Sequence, residues 1–264
     1  MNTTPAGFTA TLRSIAAIAI AVLFACTAAI AQDKKAADSK DDAQFEARVG
    51  EMQKKVMKAM MTEFENQVQA LKKDFPNRPE VYEMIMEIAS NSEPDKALSL
   101  AKQVADSTAA TEDVKKAAQA LVNKYGAVGK PLDIKFTAVD GREVDLSKMK
   151  GKVVLVDFWA TWCGPCVKEL PHIKEVYKKL HGKGFEIVGI SFDKEKSKLE
   201  QFVADEKMPW PQYFDGKGWA NKYGQEFGIN SIPAMWLVDK KGVLRDLNAR
   251  DDLEGKVEKL LAEK

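Results

Sequence analysis

Two cysteines stand three residues apart in the stretch Trp162-Cys163-Gly164-Pro165-Cys166. Thiols at that spacing close a small disulfide and reopen it, so the chemistry they offer is thiol–disulfide exchange. Zinc binding and an inert structural disulfide are the competing uses. Zinc takes four ligands. The chain has no second Cys-x-x-Cys, and His172 and His181 are its only histidines. A c-type haem site needs histidine directly after the second cysteine, where Val167 stands. The pattern points to redox chemistry without a metal or another cofactor.

Such a pair works only if it is positioned. Val153–Trp159 is a short apolar run rich in β-branched and aromatic residues, and it reads as a buried strand. Ala160–Pro165 reads as a turn. From about Cys163 the spacing of Val167, Leu170 and Ile173 is helical, with Pro171 expected to kink the helix. A strand therefore delivers both cysteines to the first turn of a helix. The free N–H groups and positive dipole end there stabilise a thiolate. Cys163 is expected to be the exposed attacking thiolate and Cys166, one turn inward, the resolving thiol. Asp157 lies inside the apolar strand, where a carboxylate costs free energy unless it has a task or a partner; the alternative is a strand-end residue facing water. Glu169, three residues past Cys166, shares its helix face.

DFWATWCGPC followed by KELP resembles the thioredoxin superfamily, and within it the exported TlpA/ResA-like branch. The resemblance runs from about Gly129 to the C-terminus. It implies an α/β, thioredoxin-like fold: a mixed central sheet with helices on both faces, here preceded by a small all-α domain. It assigns Asp157 proton transfer to and from Cys166, with burial raising its pKa. It makes Glu169 a second acid that tunes the cysteines, and leaves open which of the two is the main base. It gives Trp162 the role of shielding the site and contacting partners. Gly228-Ile229-Asn230-Ser231-Ile232-Pro233 resembles the loop that carries a cis-proline opposite the cysteines. A cis bond at Pro233 would aim the Ile232 backbone at an extended partner segment, which then pairs as an added strand; an ordinary trans proline in a turn is the alternative. His172 and His181 match nothing catalytic and are expected on the surface.

The rest of this half follows in order. A hairpin, Ile134–Val139 and Glu143–Leu146, turns at Asp140-Gly141. Phe185–Phe192 is a second buried strand, followed by an inserted helix through Leu199, Phe202 and Val203, which plain thioredoxins lack. Met208–Pro211 is a rigid extended piece, and a further helix lies near Trp219–Phe227. Ala234–Asp239 and Val243–Leu247 are strands, and Leu253–Leu261 is the closing helix.

Residues 1–31 read as a signal peptide, with Arg13 as a positive flank, an apolar run over Ile15–Ala25 and a small-x-small site at Ala29-Ile30-Ala31. A lipid anchor at Cys26 and an uncleaved anchor are the rival readings. Cleavage after Ala31 leaves two of the three cysteines, both in the Cys-x-x-Cys, as expected of a periplasmic or otherwise exported protein whose thiols exist for exchange. Loss of Arg13 takes 40 basic residues to 39, equal to the 39 acidic ones, so nothing suggests a nucleic-acid partner or an anionic surface.

Between them, 32–44 reads as a disordered tether, 45–126 as a helical domain and 127–264 as the thioredoxin-like domain. Phe45, Val49, Met52, Val56, Met60, Phe64, Val68, Leu71 and Phe75 trace one amphipathic helix. Pro79–Ala89, a Ser92-capped helix to Ala105, and a Thr111-capped helix ending near Gly126 follow. The methionines at 52, 57, 60, 61, 84 and 86 suit core filling first, then an adaptable docking face, then a cuprous site. The module carries no catalytic constellation and is expected to serve docking or dimerisation.

The resemblance implies partners: disulfide-bearing exported proteins such as apocytochrome c or metallochaperones, and a membrane thiol that supplies electrons. The Gly-Pro between the cysteines favours a protein disulfide reductase. An oxidant or isomerase of secreted proteins is one alternative, and a redox-sensing binding protein is another.

Overall fold

The computed structural model describes residues 40–263. The expected signal segment 1–31 and the tether up to residue 39 lie outside the described residues. The chain divides into two compact units between Phe64 and Glu65.

Helix α1 is Lys40–Asp74, 35 residues long. It starts five residues inside the stretch expected to be a tether. Asp41 and Asp42 occupy its first turn and Lys72 and Lys73 its last, a charge order that complements the helix dipole. Its apolar stripe is not a core. Phe45, Met52, Val56, Met57, Met60, Met61, Leu71 and Phe75 are exposed, while Val68 is buried. Core filling therefore does not describe the methionines of α1; Met84 and Met86 are half-buried. Periodicity reports an apolar face, whereas burial needs a partner laid along it.

Helices α2 (Pro79–Ser90), α3 (Pro94–Ala105) and α4 (Glu112–Gly126) pack on one another through Val81, Ile85, Ile88, Leu100, Val104 and Leu121. Proline opens α2 and α3 at their first position, where its missing N–H costs no helical bond. Thr111 caps α4, its Oγ1 accepting from the Val114 N–H. Ser92 does not cap α3. Its hydroxyl donates back to the Ile88 carbonyl at 2.7 Å, and the N-cap falls to Glu93. These three helices belong to the same compact unit as the sheet. The Asn123 side-chain amide of α4 donates to the Glu226 carbonyl at 2.9 Å, and just past α4 the Gly129 N–H donates to the Leu244 carbonyl at 2.8 Å.

A two-stranded ladder, β1 (Lys135–Thr137) and β2 (Glu143–Asp145), turns at Gly141, whose φ of +85 suits glycine. The main sheet has β3 (Val153–Trp159), β4 (Phe185–Ser191), β5 (Gln212–Tyr213), β6 (Ala234–Val238) and β7 (Leu244–Asp246), in the order β5-β4-β3-β6-β7. β3 is parallel to β4 and antiparallel to β6, so the sheet is mixed. Every residue of the central strand β3 is buried, so both faces are covered. Helix α5 (Gly164–Leu180) crosses from β3 to β4, α6 (Lys196–Asp205) leads to β5, α7 (Lys222–Glu226) precedes β6, and α8 (Leu253–Ala262) closes the chain. Alternation along β3 separates the two layers. Trp159 meets Phe202 of α6 on one face, while Phe158 meets Trp236, which meets Phe227 after α7, on the other. Asp157 is on the Trp159 face. Pro171 lies inside α5, which continues through it as one helix.

Candidate active site

The site is built where β3 ends. The Cys163 N–H donates to the Ala160 carbonyl at 3.1 Å, which closes the turn, and Cys163 becomes the N-cap of α5. Its Sγ accepts from the Cys166 N–H at 3.2 Å, so a helix-terminal donor points at this sulfur, an arrangement that favours a thiolate when the pair is reduced. Cys163 and Cys166 are joined as a disulfide. Both are buried in this state, Cys163 included. Exposure belongs instead to its neighbour Trp162, and it is this indole that meets solvent beside the sulfur.

The Ile232–Pro233 peptide is cis. The Ile232 carbonyl oxygen lies 3.8 Å from Cys163 Sγ, across 69 positions of sequence. An extended segment docked there would bring its backbone to Ile232 and its own sulfur to Cys163.

Asp157 is 4% exposed, and its Oδ1 is buried with no hydrogen-bond partner. Burial first, and then the negative charge of Glu169, push its pKa up to about 7. A buried carboxyl poised near neutral pH can both take and give a proton. Glu169 is itself held: its carboxylate accepts from Arg250 Nε at 3.0 Å, with Arg250 in the turn just before α8. His172 is exposed, and His181 packs its ring against Tyr177 at 4.6 Å on the surface. Among the described residues, no three His, Cys, Asp or Glu side chains converge into a metal site.

Three positioning residues carry no local sequence signal beyond a polar or basic side chain. Arg250 is one. Asp193 is the second: buried, it accepts from the Thr161 hydroxyl at 2.6 Å, the Thr161 N–H at 3.1 Å and the Ser191 hydroxyl at 2.8 Å. It thereby ties the loop before Cys163 to the end of β4. The third is Gln212 on β5, whose side-chain carbonyl accepts from the Trp159 indole at 2.9 Å.

A redoxin family model matches residues 112–262, more than half of the chain. The chain belongs to the redoxin family. The thiol-disulfide oxidoreductase ResA of Bacillus thuringiensis (strain Al Hakam) is 34% identical over 128 residues, 47% of this chain and 72% of that protein. ResA of Oceanobacillus iheyensis is 31% identical over 109 residues, 41% of this chain and 55% of that protein. The thioredoxin domain of a thiol-disulfide oxidoreductase from Bacteroides vulgatus aligns with 51% of this chain and 97% of its own length, at 32% identity and a TM-score of 0.46. This redoxin is a thiol-disulfide oxidoreductase of the thioredoxin superfamily, in the TlpA/ResA-like branch. Its mixed sheet and flanking helices are the thioredoxin-like α/β fold of that superfamily.

Proposed function

We propose that this redoxin is an exported reductase that opens disulfides in specific envelope proteins through Cys163-Gly164-Pro165-Cys166. The observation that carries the reading is the helix-terminal N–H of Cys166 aimed at Cys163 Sγ, with the Ile232 carbonyl 3.8 Å away on the substrate side. In this reading the Cys163 thiolate attacks one sulfur of the target disulfide. That bond breaks, a mixed disulfide forms, and the other target sulfur leaves as a thiolate. Cys166 gives its proton to Asp157 and attacks Cys163 Sγ. The mixed disulfide breaks, the second target thiolate leaves, and the Cys163–Cys166 disulfide is restored. Two electrons have passed to the target, and a membrane dithiol supplies the next two. Burial first, and then Glu169, keep the Asp157 pKa near neutral, and residues 1–31 direct export to the periplasm. Reduction of apocytochrome c during cytochrome c biogenesis is the specific task that a ResA-like relationship favours.

Equilibration of the Cys163–Cys166 pair with glutathione tests the direction of electron flow. A reduction potential of about −230 mV or below is expected; a value of about −120 mV would make the protein an oxidant and refute the reading.

A further inference from the structure

The chain has five tryptophans. Trp159, Trp210 and Trp236 are buried, as large aromatics of a sheet core should be. Trp162 and Trp219 are 55% and 43% exposed, and these two meet each other, with ring centroids 6.1 Å apart and planes 58° apart. Rings at that angle form a wedge rather than a stack and leave indole surface open to water. One wall, Trp162, is the residue before Cys163. The other enters from the turn Gly218–Ala220, more than fifty residues later.

Both walls hang from one frame. Asp193 holds the Thr161 end by accepting from the Thr161 N–H and hydroxyl. On the far side the Trp219 ring packs edge-on against Phe192 at 5.2 Å. The Trp219 carbonyl accepts from the Gln225 side chain at 2.8 Å. The fully buried Asn221 donates to the Ser191 carbonyl at 2.9 Å while its own carbonyl caps α7. Gly218 has φ +54, and a Cβ there would meet the Lys194 side chain at 2.9 Å, so the turn sits tight against the strand β4 exit. The segment Ser191–Lys194 therefore sets both indoles. A rigid aromatic pair binds without the entropic cost of ordering it.

We propose that Trp219, paired with Trp162, forms a binding subsite that takes an aromatic or bulky apolar side chain of the target segment next to the cysteine under attack. The inference rests on the disulfide-exchange reading above. It commits to the target segment as occupant because the wedge is continuous, through Trp162, with Cys163 and the Ile232 carbonyl. Trp219 is then a specificity-determining residue supplied by the segment between β5 and β6, and exchange would favour disulfides flanked by aromatic residues.

The test uses the full-length oxidised protein and two peptides that differ only in Trp or Ala beside the target position. Serine replaces cysteine so that no chemistry intervenes. Calorimetry should show the Trp peptide binding about fivefold tighter than the Ala peptide, the scale of one aromatic contact. Trp219→Ala should erase that preference and Trp219→Phe should keep most of it, with unchanged thermal midpoints excluding misfolding. Equal affinities in the parent protein, or an undiminished preference in Trp219→Ala, would overturn the proposal. The corresponding peptide disulfides are then assayed for turnover by the protein reduced beforehand, with glutathione supplied as the recycling reductant. A Trp219-dependent binding preference with no reduction of either disulfide refutes the disulfide-exchange reading and leaves the subsite standing. Reduction of both with equal kcat/KM refutes the subsite and leaves the exchange reading intact.

Discussion

Replacing Asp157 by asparagine removes a buried charge that exists only above a certain pH, and this makes its effect separable from every other consequence of the substitution. Asp157 is buried on β3, with its pKa pushed from 3.8 to about 7 by burial and then by Glu169. The raised value means that folding favours the protonated form. Below pH 3.8 the group is protonated in both folded and unfolded chains and adds nothing. As pH rises from there, the unfolded chain releases the proton and the folded chain retains it, so stability is lost until the folded group also ionises near pH 7. The interval is about 3 pH units at about 1.36 kcal/mol each, so the penalty reaches about 4 kcal/mol. An asparagine side chain cannot titrate. Its amide costs about 1–3 kcal/mol where its N–H groups find no acceptor, but that cost is the same at every pH. Urea unfolding of the oxidised parent and of Asp157→Asn from about pH 4 to about pH 8 should therefore show the difference between them moving by about 4 kcal/mol in favour of the variant. A difference that stays flat across that range would refute the burial argument and, with it, the assignment of Asp157 as a proton carrier near neutral pH.

Three further outcomes follow from neighbouring contacts. Glu169→Gln takes away the like charge that helps raise the Asp157 pKa, so the midpoint of the same pH-dependent difference should move to lower pH; Arg250→Ala strips Glu169 of its cation and should move it higher. Gly189→Ala would place a Cβ inside the Gln212 carboxamide and break its bond to the Trp159 indole, at a cost of about 1–3 kcal/mol in a urea or thermal unfolding series; an unchanged midpoint would show that β5 can retreat without cost.

What the chain states in advance is local. β3 stands out because six apolar, β-branched or aromatic residues within seven positions, interrupted by one acid, suit a strand buried on both faces. The start of α5 is equally legible, because the helical spacing of Val167, Leu170 and Ile173 sets in directly after the turn that carries the cysteines. Helices α2 and α4 are marked by Pro79 and Thr111. Expectation and structure part where a local signal has two uses. Ser92 can cap the helix after it or bond the helix before it, and it bonds the carbonyl of Ile88. The charged, small-residue stretch before Phe45 suggests a tether, yet Asp41 and Asp42 suit a helical first turn just as well. The methionine stripe on α1 has helical period whether or not anything lies against it, and the exposure of Met52 and Met60 shows that periodicity alone does not decide burial.

The amino-acid order by itself determined the chemistry: a lone Cys-x-x-Cys at a strand-to-helix turn, an acid within the strand, and a proline loop further on. These depend on residue type and short spacing, which a linear chain states outright. Tertiary structure alone decided what stands around that chemistry. Arg250 reaches Glu169 across 81 positions, Asp193 reaches Thr161 across 32, and Trp219 arrives beside Trp162 only because the segment after β5 folds back onto the end of β4. Such pairs have no fixed sequence separation. They are set by strand order and by which faces pack, so they become visible only when the sheet is assembled.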